Sequence, residues 1–134
     1  MSVKPLKFVK LRHAHHQETA QDYVEMIQDL LKEEGEARVT EIAKRFGVSA
    51  VTTHKIILRL QKEKLVDSKP YRALFLTPKG KKMAIQSKKR HNVVYRFLKK
   101  LGVPEKTAQI DAEGIEHHVS PKTLRIFQKF MEQG

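Results

Sequence analysis

Carboxylates and imidazoles recur at helical spacing in two distant parts of the sequence. Asp22 and Glu25 stand three residues apart, and Glu113, Glu116 and His117 stand at positions i, i+3 and i+4. Side chains at this spacing share one face of an α-helix. Packing two such faces together would leave carboxylates repelling one another unless a cation lay between them. The spacing therefore predicts a divalent cation held between helices.

One more imidazole, His91, lies in a predicted basic helix between these two groups and could complete a ligand set. Four carboxylates and two imidazoles favour a hard or borderline divalent ion of high coordination number, such as Mn²⁺ or Fe²⁺. The alternative is that the acidic residues form solvated faces of amphipathic helices. Because the chain has no cysteine, a thiolate zinc site, a disulfide and a cysteine nucleophile are excluded.

The elements that would position these ligands are mainly helical. Hydrophobic periodicity, caps and breakers predict helices at about residues 18–34, 39–46, 50–64, 78–100, 105–118 and 121–132. Thr77-Pro78 and Ser120-Pro121 each offer a capping side chain followed by proline, which predicts where the fourth and sixth of these helices begin. Alternation predicts two strands, 65–67 and 73–76, around a basic tip at 69–72. We expect a basic mobile arm (1–17), a winged helix-turn-helix domain with a two-stranded wing (18–77), and a helical metal-binding and dimerisation domain (78–134).

The segment 39–60 is typical of a helix-turn-helix, with Gly47 in the turn and Ser49 as the cap of the second helix. Two departures are Thr53, where an aliphatic residue is usual, and Lys64, where glycine often ends the helix. The second helix would enter the major groove, where Thr and His bond base edges and Lys and Arg contact phosphates. The predicted DNA-binding residues are Ser49, Ala50, Val51, Thr52, His54, Lys55, Arg59, Lys69 and Arg72. The alternative for each is an ordinary surface position.

Charge favours the same partner. The formal net charge is +12, and residues 68–104 contain eleven Lys or Arg and no acidic residue. A polyanion, most commonly nucleic acid, is the natural partner of such a surface. No run of about 18 apolar residues predicts a membrane span. The N-terminal residues lack an apolar signal core, from which we expect a cytoplasmic protein.

The order of these motifs resembles the diphtheria-toxin-repressor-like metalloregulators, and is most similar to the manganese transport regulator branch. The resemblance covers about residues 21–132, through Asp22-Tyr23-Val24-Glu25, the winged helix, Leu76-Thr77-Pro78-Lys79-Gly80, Arg90-His91 and Asp111-Ala112-Glu113-Gly114-Ile115-Glu116-His117-His118. It implies that the six ligands named above match the family's metal positions and bind Mn²⁺, two ions per subunit. Iron-responsive relatives have sulfur ligands in part of the set, so Asp22 and Glu113 favour Mn²⁺ over Fe²⁺. The resemblance also implies a short member without a third domain.

These observations predict a homodimeric, metal-activated transcriptional regulator, most simply a repressor of metal-uptake genes, with neither enzymatic activity nor an organic cofactor. Two winged helices would bind a palindromic double-stranded operator. By hypothesis, metal joins the first helix to the dimerisation half and limits the distance between the two DNA-binding domains of the dimer. The alternatives are an iron-responsive or metal-independent regulator, and a metallohydrolase, for which we find no separate general base. The predicted dimer interface comprises Val103, Ile110, Leu124, Phe127 and Phe130.

Overall fold

The computed structural model describes the main chain of residues 3–68 and 73–133, and the side chains of residues 15–68 and 73–133. The predicted DNA contacts Lys69 and Arg72 lie outside the described residues. The chain divides into two compact units, Met1–Ile85 and Gln86–Gly134. None of the described helices is long and apolar enough to cross a membrane.

The described residues form helices and a small sheet in the order expected of a winged helix followed by a helical domain. Four predicted segments have the observed bounds: the second helix, the last strand and the helices that start at prolines 78 and 121. The mainly α-helical fold class is confirmed. The elements are α1 (Val3–Glu34), β1 (Ala37–Arg38), α2 (Val39–Phe46), α3 (Ala50–Lys62), β2 (Val66–Ser68), β3 (Ala73–Leu76), α4 (Pro78–Lys100), α5 (Glu105–Ile115) and α6 (Pro121–Glu132).

Three helix boundaries differ from the prediction, and the first is the end of α3, which lies at Lys62 rather than near residue 64. α1 begins at Val3, so a helix start near Glu18 is wrong, and residues 3–17 are helical. Pro5 falls in the first turn, where a missing N–H costs no helical hydrogen bond, and no glycine or proline follows until Gly35. α5 ends at Ile115, shorter than the predicted 105–118.

The sheet has one more strand than the predicted wing. Its order is β1-β3-β2, and both neighbours pair antiparallel with β3. In β1, Ala37 lies opposite Leu74 and Arg38 lies opposite Ala73. A strand of two residues is too short for alternation to be recognised. The extra strand joins the end of α1 to the start of α2, so it fixes where the helix-turn-helix begins.

The core of the N-terminal unit is built on α1. One face of α1 is apolar and buried, with Val24, Ile27 and Leu30 fully inaccessible to solvent. Tyr23 stacks on Phe46 of α2, with ring centroids 4.6 Å apart. Ile42, Ile57, Leu60, Val66, Leu74 and Leu76 from α2, α3 and the sheet complete the cluster. Burial of this apolar surface holds α3 in place.

Side-chain hydrogen bonds fix the first turn of α3. Ser49 Oγ accepts from the backbone N–H of Thr52 at 3.1 Å, as an N-cap does. Thr53 is fully buried at its unusual position, and its hydroxyl donates to Ser49 O at 3.0 Å. A buried hydroxyl with a hydrogen-bond partner avoids most of the desolvation cost, which explains why threonine is tolerated there.

The start of α4 is attached to the end of α3 through Thr77. The Thr77 hydroxyl donates to Lys64 O at 2.7 Å and accepts from the N–H of Gly80 at 3.1 Å, which confirms Thr77 as the N-cap of α4. Lys79 Nζ donates to Glu63 O at 3.1 Å. A Cβ at Gly80 would clash with Leu65 O. Thr77-Pro78-Lys79-Gly80, part of the motif on which the resemblance rests, thus has a structural role: it attaches the start of α4 to residues 63–65 after α3.

Lys64, two residues after the end of α3, has the left-handed conformation, with φ of 61°. Its N–H donates to Gln61 O, and the N–H of Leu65 donates to Leu60 O, both at 3.0 Å, which is a Schellman ending. A residue other than glycine pays about 1–2 kcal/mol in this region.

We therefore expect Lys64→Gly to raise the free energy of unfolding by about 1 kcal/mol, since relief of the strain exceeds the entropy of the added glycine. Lys44→Gly is the control, because Lys44 is also exposed but lies within α2. It should lower the free energy of unfolding by about 1 kcal/mol. Urea unfolding of the metal-free variants measures both, and equal losses would disprove the strain at Lys64.

The C-terminal unit packs the second half of α4 with α5 and α6. Val94, Ala108 and Ala112 are fully buried, and Phe97 stacks on Phe127 with centroids 4.0 Å apart. Ser120 caps α6 by accepting from the N–H of Thr123 at 3.1 Å, as predicted from Ser120-Pro121. Lys100 Nζ donates to the carbonyls of Phe130 at 2.8 Å and Met131 at 3.2 Å, at the C-terminal end of α6.

Candidate metal centre and DNA-reading face

Three predicted ligands meet within the C-terminal unit. His91 lies on α4, Glu113 on α5, and Glu116 is the C-cap residue of α5, with its N–H bonded to Ala112 O. One ligand atom from each of His91, Glu113 and Glu116 lies within 4.8 Å of the other two. Packing of α4 on α5 therefore brings an imidazole to two carboxylates that helical spacing places on one face.

Glu116 is at the centre of this group. Its side chain is 1% exposed, and Oε2 lies 3.2 Å from His91 Nδ1. Its other oxygen, Oε1, lies 3.4 Å from His117 Nε2, and the His117 side chain is 2% exposed. Glu113 Oε1 lies 3.7 Å from the same nitrogen of His91, with a side chain that is 66% exposed. One buried carboxylate thus contacts two imidazoles.

The carboxylates change the protonation of His91. The hydrogen bond with Glu116 raises the pKa of His91 to about 9, although burial opposes this, and the charges of both glutamates and the bond to Gln109 act in the same direction. Without a cation the Nδ1 proton is therefore held between His91 and the carboxylates. A cation bound at Nδ1 would displace this proton and take over its interactions.

The chemistry of the donor set suits a divalent cation. A single imidazole nitrogen and several carboxylate oxygens, without sulfur, are ligands for hard and borderline ions such as Mn²⁺ and Fe²⁺. The same group without any cation must hold a proton to keep Glu116 compensated in its buried position. His91, Glu113 and Glu116 therefore fit a metal site.

The remaining predicted ligands belong to two different units, Asp22 and Glu25 to the N-terminal unit and His117 to the C-terminal unit. Asp22 and Glu25 lie on α1 in the N-terminal unit, both half-buried, three residues apart as predicted. His117 follows Glu116 in the C-terminal unit and contacts its carboxylate. Helical spacing predicts each of these residues as a ligand, and their role in binding metal stays a prediction.

Sequence reasoning missed one side chain at this site. Gln109 of α5 lies 3.2 Å from His91, through its Oε1 and the ring Nε2. The available signal was its position four residues before Glu113, on the same face of α5. A glutamine is not a usual metal ligand, so a search for ligands passed over it.

The predicted base-reading residues lie on the exposed face of α3. Ala50, Val51, Thr52, His54 and Lys55 are all exposed, and Val51 is 66% exposed. The Ser49 hydroxyl donates to Thr52 Oγ1 at 2.9 Å, which orients the Thr52 hydroxyl at the N-terminal end of the helix. An open groove of about 1070 Å³ runs beside α3, lined by Val51, His54 and Leu58 and, from the other side, by Arg38 and Leu74.

Arg59 has a different environment from the other predicted DNA contacts. It is half-buried, and its Nη2 donates to the carbonyl of His16 on α1 at 3.4 Å. In this structure Arg59 therefore links α3 to α1 inside the N-terminal unit. Its proposed role as a phosphate contact would require this guanidinium to serve both partners.

The predicted interface residues are divided between packing and exposure. Phe127 stacks on Phe97, whereas Ile110 is 71% exposed and Phe130 is 41% exposed. Val103 and Leu124 are half-buried. α6 contains no buried residue, although Ile126, 59% exposed, and Phe130 are large and apolar. α5 and α6 thus expose three large apolar side chains, Ile110, Ile126 and Phe130, which we call the α5–α6 surface.

Two family models match almost the whole chain. Residues 15–74 match the iron dependent repressor N-terminal DNA binding domain, and residues 77–133 match the iron dependent repressor metal binding and dimerisation domain. Transcriptional regulator MntR of Escherichia coli O6:H1 is 46% identical over 126 residues, 94% of this chain and 81% of the relative. HTH-type transcriptional regulator MntR of Geobacillus thermodenitrificans is 41% identical over 100 residues, 75% of this chain and 71% of the relative.

Two solved structures of regulators are similar to this chain. A manganese-dependent transcriptional repressor in complex with manganese has a TM-score of 0.77 at 29% identity, over 86% of this chain and 53% of that chain. The manganese regulator SloR has a TM-score of 0.76 at 26% identity, over 86% of this chain and 54% of that chain. The chain spans about half the length of these two structures. It belongs to the iron-dependent repressor family, with the DNA-binding domain of that family followed by its metal-binding and dimerisation domain.

Proposed function

We propose that this chain is a manganese-responsive transcriptional regulator that represses metal-uptake genes when Mn²⁺ is bound. The observation that carries the proposal is Glu116, a buried carboxylate that contacts both His91 and His117 in the domain that the family uses to bind metal. The proposed set is completed from the sequence resemblance and holds two ions per subunit: Asp22, Glu25, His91, Glu113, Glu116 and His117.

Oxygen-rich ligation supports manganese as the ion. The group of His91, Glu113 and Glu116 offers two carboxylates and one imidazole, and hard ligands of this kind suit Mn²⁺. Two of the similar solved structures are manganese regulators, and one of them is a complex with manganese. Fe²⁺ shares much of this ligand preference and is the alternative ion.

In this proposal the metal supplies positive charge that compensates the clustered carboxylates. Glu116 orients both imidazoles, His91 and His117, and its burial keeps water from competing for its oxygens. Because the metal-bound form then has the greater affinity for DNA, a coupling of about 1–3 kcal/mol would change operator affinity roughly 5- to 150-fold.

The proposed DNA partner is a palindromic, double-stranded operator bound by a homodimer. The exposed N-terminal half of α3 would read bases in the major groove, and the groove beside α3 would receive the phosphate backbone. The exposed apolar residues of α5 and α6 would be covered by the second subunit. A two-fold axis would then place the two α3 helices on successive major grooves. We propose that the protein acts in the cytoplasm, as transcriptional regulators do.

Thr52 and Lys55 should separate base reading from phosphate contact. Thr52→Ala removes an oriented hydroxyl and should reduce discrimination at one base position by about 1–3 kcal/mol. Lys55→Gln should weaken specific and random DNA alike, and should reduce the slope of log affinity against log salt by about 1. Anisotropy titrations at several salt concentrations measure both, with Lys129→Gln on α6 as the charge control. Equal losses on both DNAs for Thr52→Ala would contradict its role as a base contact.

The function itself is tested by selecting duplexes from a random pool in the presence of Mn²⁺. The selected duplex is then titrated with Mn²⁺, Fe²⁺, Mg²⁺ or a chelator. We expect a palindromic sequence, bound tightly with Mn²⁺ and weakly with the chelator. Equal affinity under all four conditions would show a metal-independent DNA-binding protein, and a preference for Fe²⁺ would replace manganese by iron. Cleavage of the duplex in Mn²⁺ would overturn the assignment in favour of a hydrolase.

A further inference from the structure

Two side chains of α4 contact two side chains of α5 as successive rungs. His91 lies 3.2 Å from Gln109 through Nε2 and Oε1, and Tyr95 donates its hydroxyl to Glu105 Oε1 at 3.1 Å. His91 and Tyr95 are four residues apart on α4, so they share one face of that helix. Glu105 and Gln109 are likewise four residues apart and share one face of α5. The rings of His91 and Tyr95 also lie nearly parallel, at 6° with centroids 6.3 Å apart. The rungs fix the ring of His91 from the side away from the carboxylates.

The two nitrogens of His91 therefore have different partners. Nδ1 faces Glu116 at 3.2 Å and Glu113 at 3.7 Å, while Nε2 faces the amide oxygen of Gln109. An amide oxygen accepts a hydrogen bond and cannot donate one, so Nε2 carries a proton in this arrangement. With Nε2 donating to Gln109, Nδ1 is the ring nitrogen that faces the two glutamates and is placed to bind a cation.

We propose that Gln109 is a positioning residue for the metal site, which selects Nδ1 of His91 as the nitrogen that binds the cation. This inference rests on the proposed function. It assigns to Gln109 the part that carboxylates or backbone carbonyls usually take toward metal-binding histidines, which is to hold the second ring N–H and so set tautomer and ring orientation.

Loss of such a partner has a known cost. Removing the group that holds the second N–H of a metal-binding histidine lowers metal affinity by about 10- to 100-fold. Here the cost arises because a released ring can rotate about χ2 and present Nε2 to the glutamates. The ring can also leave the Nε2–H to solvent. The side chain of His91 is 14% exposed, so water can reach it once Gln109 is removed.

The test compares three variants with the unaltered chain. Gln109→Leu removes the acceptor at similar size, and Gln109→Glu restores an acceptor oxygen at the same place. Gln128→Leu is the control, because Gln128 is an exposed glutamine on α6. Gln109 is itself exposed on α5, so we expect all variants to fold.

The first measurement is ¹⁵N NMR of histidine-labelled protein, without metal and with Cd²⁺. In the unaltered chain and in Gln128→Leu we expect a slowly exchanging Nε2–H of His91 without metal. With Cd²⁺ bound, the scalar coupling between cadmium and ¹⁵N should appear on Nδ1 of His91. Gln109→Leu should lose the protected Nε2–H signal and show Cd²⁺ on both nitrogens, while Gln109→Glu should restore the original pattern.

The second measurement is Mn²⁺ affinity, which should fall about 10- to 100-fold in Gln109→Leu and recover in Gln109→Glu. An unaltered chain that binds both ions, beside a Gln109→Leu variant with the same affinity and the same Nδ1 coupling, would overturn the positioning role alone. An unaltered chain that binds neither ion would overturn the proposed function and the positioning role together. Coupling on Nε2 in the unaltered chain would overturn the choice of nitrogen.

Discussion

Glu116→Ala is expected to lower Mn²⁺ affinity by more than about 100-fold, beyond the roughly 10- to 100-fold effect of losing an outer partner. Glu116 is the residue on which the site depends most, because its two oxygens contact His91 and His117 from a position that is 1% exposed. Without it, His117 loses its carboxylate contact at 3.4 Å, and His91 keeps only the more distant of its two carboxylates, Glu113 at 3.7 Å. The response of DNA binding to Mn²⁺ should disappear with the metal affinity.

Isothermal titration with Mn²⁺ and anisotropy with the selected duplex measure these two effects. Glu132→Ala is the control, because Glu132 is an exposed carboxylate at the end of α6. Its Mn²⁺ affinity should match that of the unaltered chain. Circular dichroism of both variants without metal separates loss of the site from loss of the fold. A folded Glu116→Ala protein with an unchanged Mn²⁺ response would remove this cluster from the metal site.

The second large effect is expected from charges placed on the α5–α6 surface. Ile110 and Ile126 are 71% and 59% exposed, so replacing both by glutamate should leave the subunit folded. In a dimer the same positions would bury unpaired carboxylates, which is costly. We expect Ile110→Glu/Ile126→Glu to be monomeric. Because a monomer lacks the second DNA-binding domain, operator affinity should fall by about 10²- to 10⁴-fold.

Sedimentation equilibrium and operator titration test this at the same protein concentration. Ile85→Glu is the matched control, since Ile85 is 49% exposed but lies on α4 rather than on α5 or α6. The control should remain dimeric with full operator affinity. A double variant that stays dimeric would show that this apolar surface is not the subunit interface.

The parts of the fold that local sequence signals determine were predictable. Ser120-Pro121 and Thr77-Pro78 predicted where α6 and α4 begin, because a cap side chain and a proline at the first position act on adjacent backbone groups. Lys64, just after α3, stands at a position where glycine is common, and its backbone has a positive φ there. β1 was not predictable, because two residues carry no periodicity and pair only once β3 is in place.

The candidate site was predictable in its residue types and less so in its contacts. Helical spacing placed Glu113 and Glu116 on one face. His91 was a candidate by residue type alone, and the resemblance implied that it joins them. The contact of His91 with Gln109 depends on the register of α4 against α5, which no local pattern encodes. The start of α1 was wrong for a related reason: the basic segment has little apolar periodicity, yet nothing in it interrupts a helix.

The central claim is that metal and DNA strengthen each other's binding. Linkage requires the factor by which saturating Mn²⁺ raises operator affinity to equal the factor by which saturating operator raises Mn²⁺ affinity. Both factors can be measured on the full chain by titrating each partner with and without the other. We predict equal factors between about 5 and 150. A Mn²⁺ affinity that operator leaves unchanged, with an operator affinity that Mn²⁺ leaves unchanged, would contradict the account.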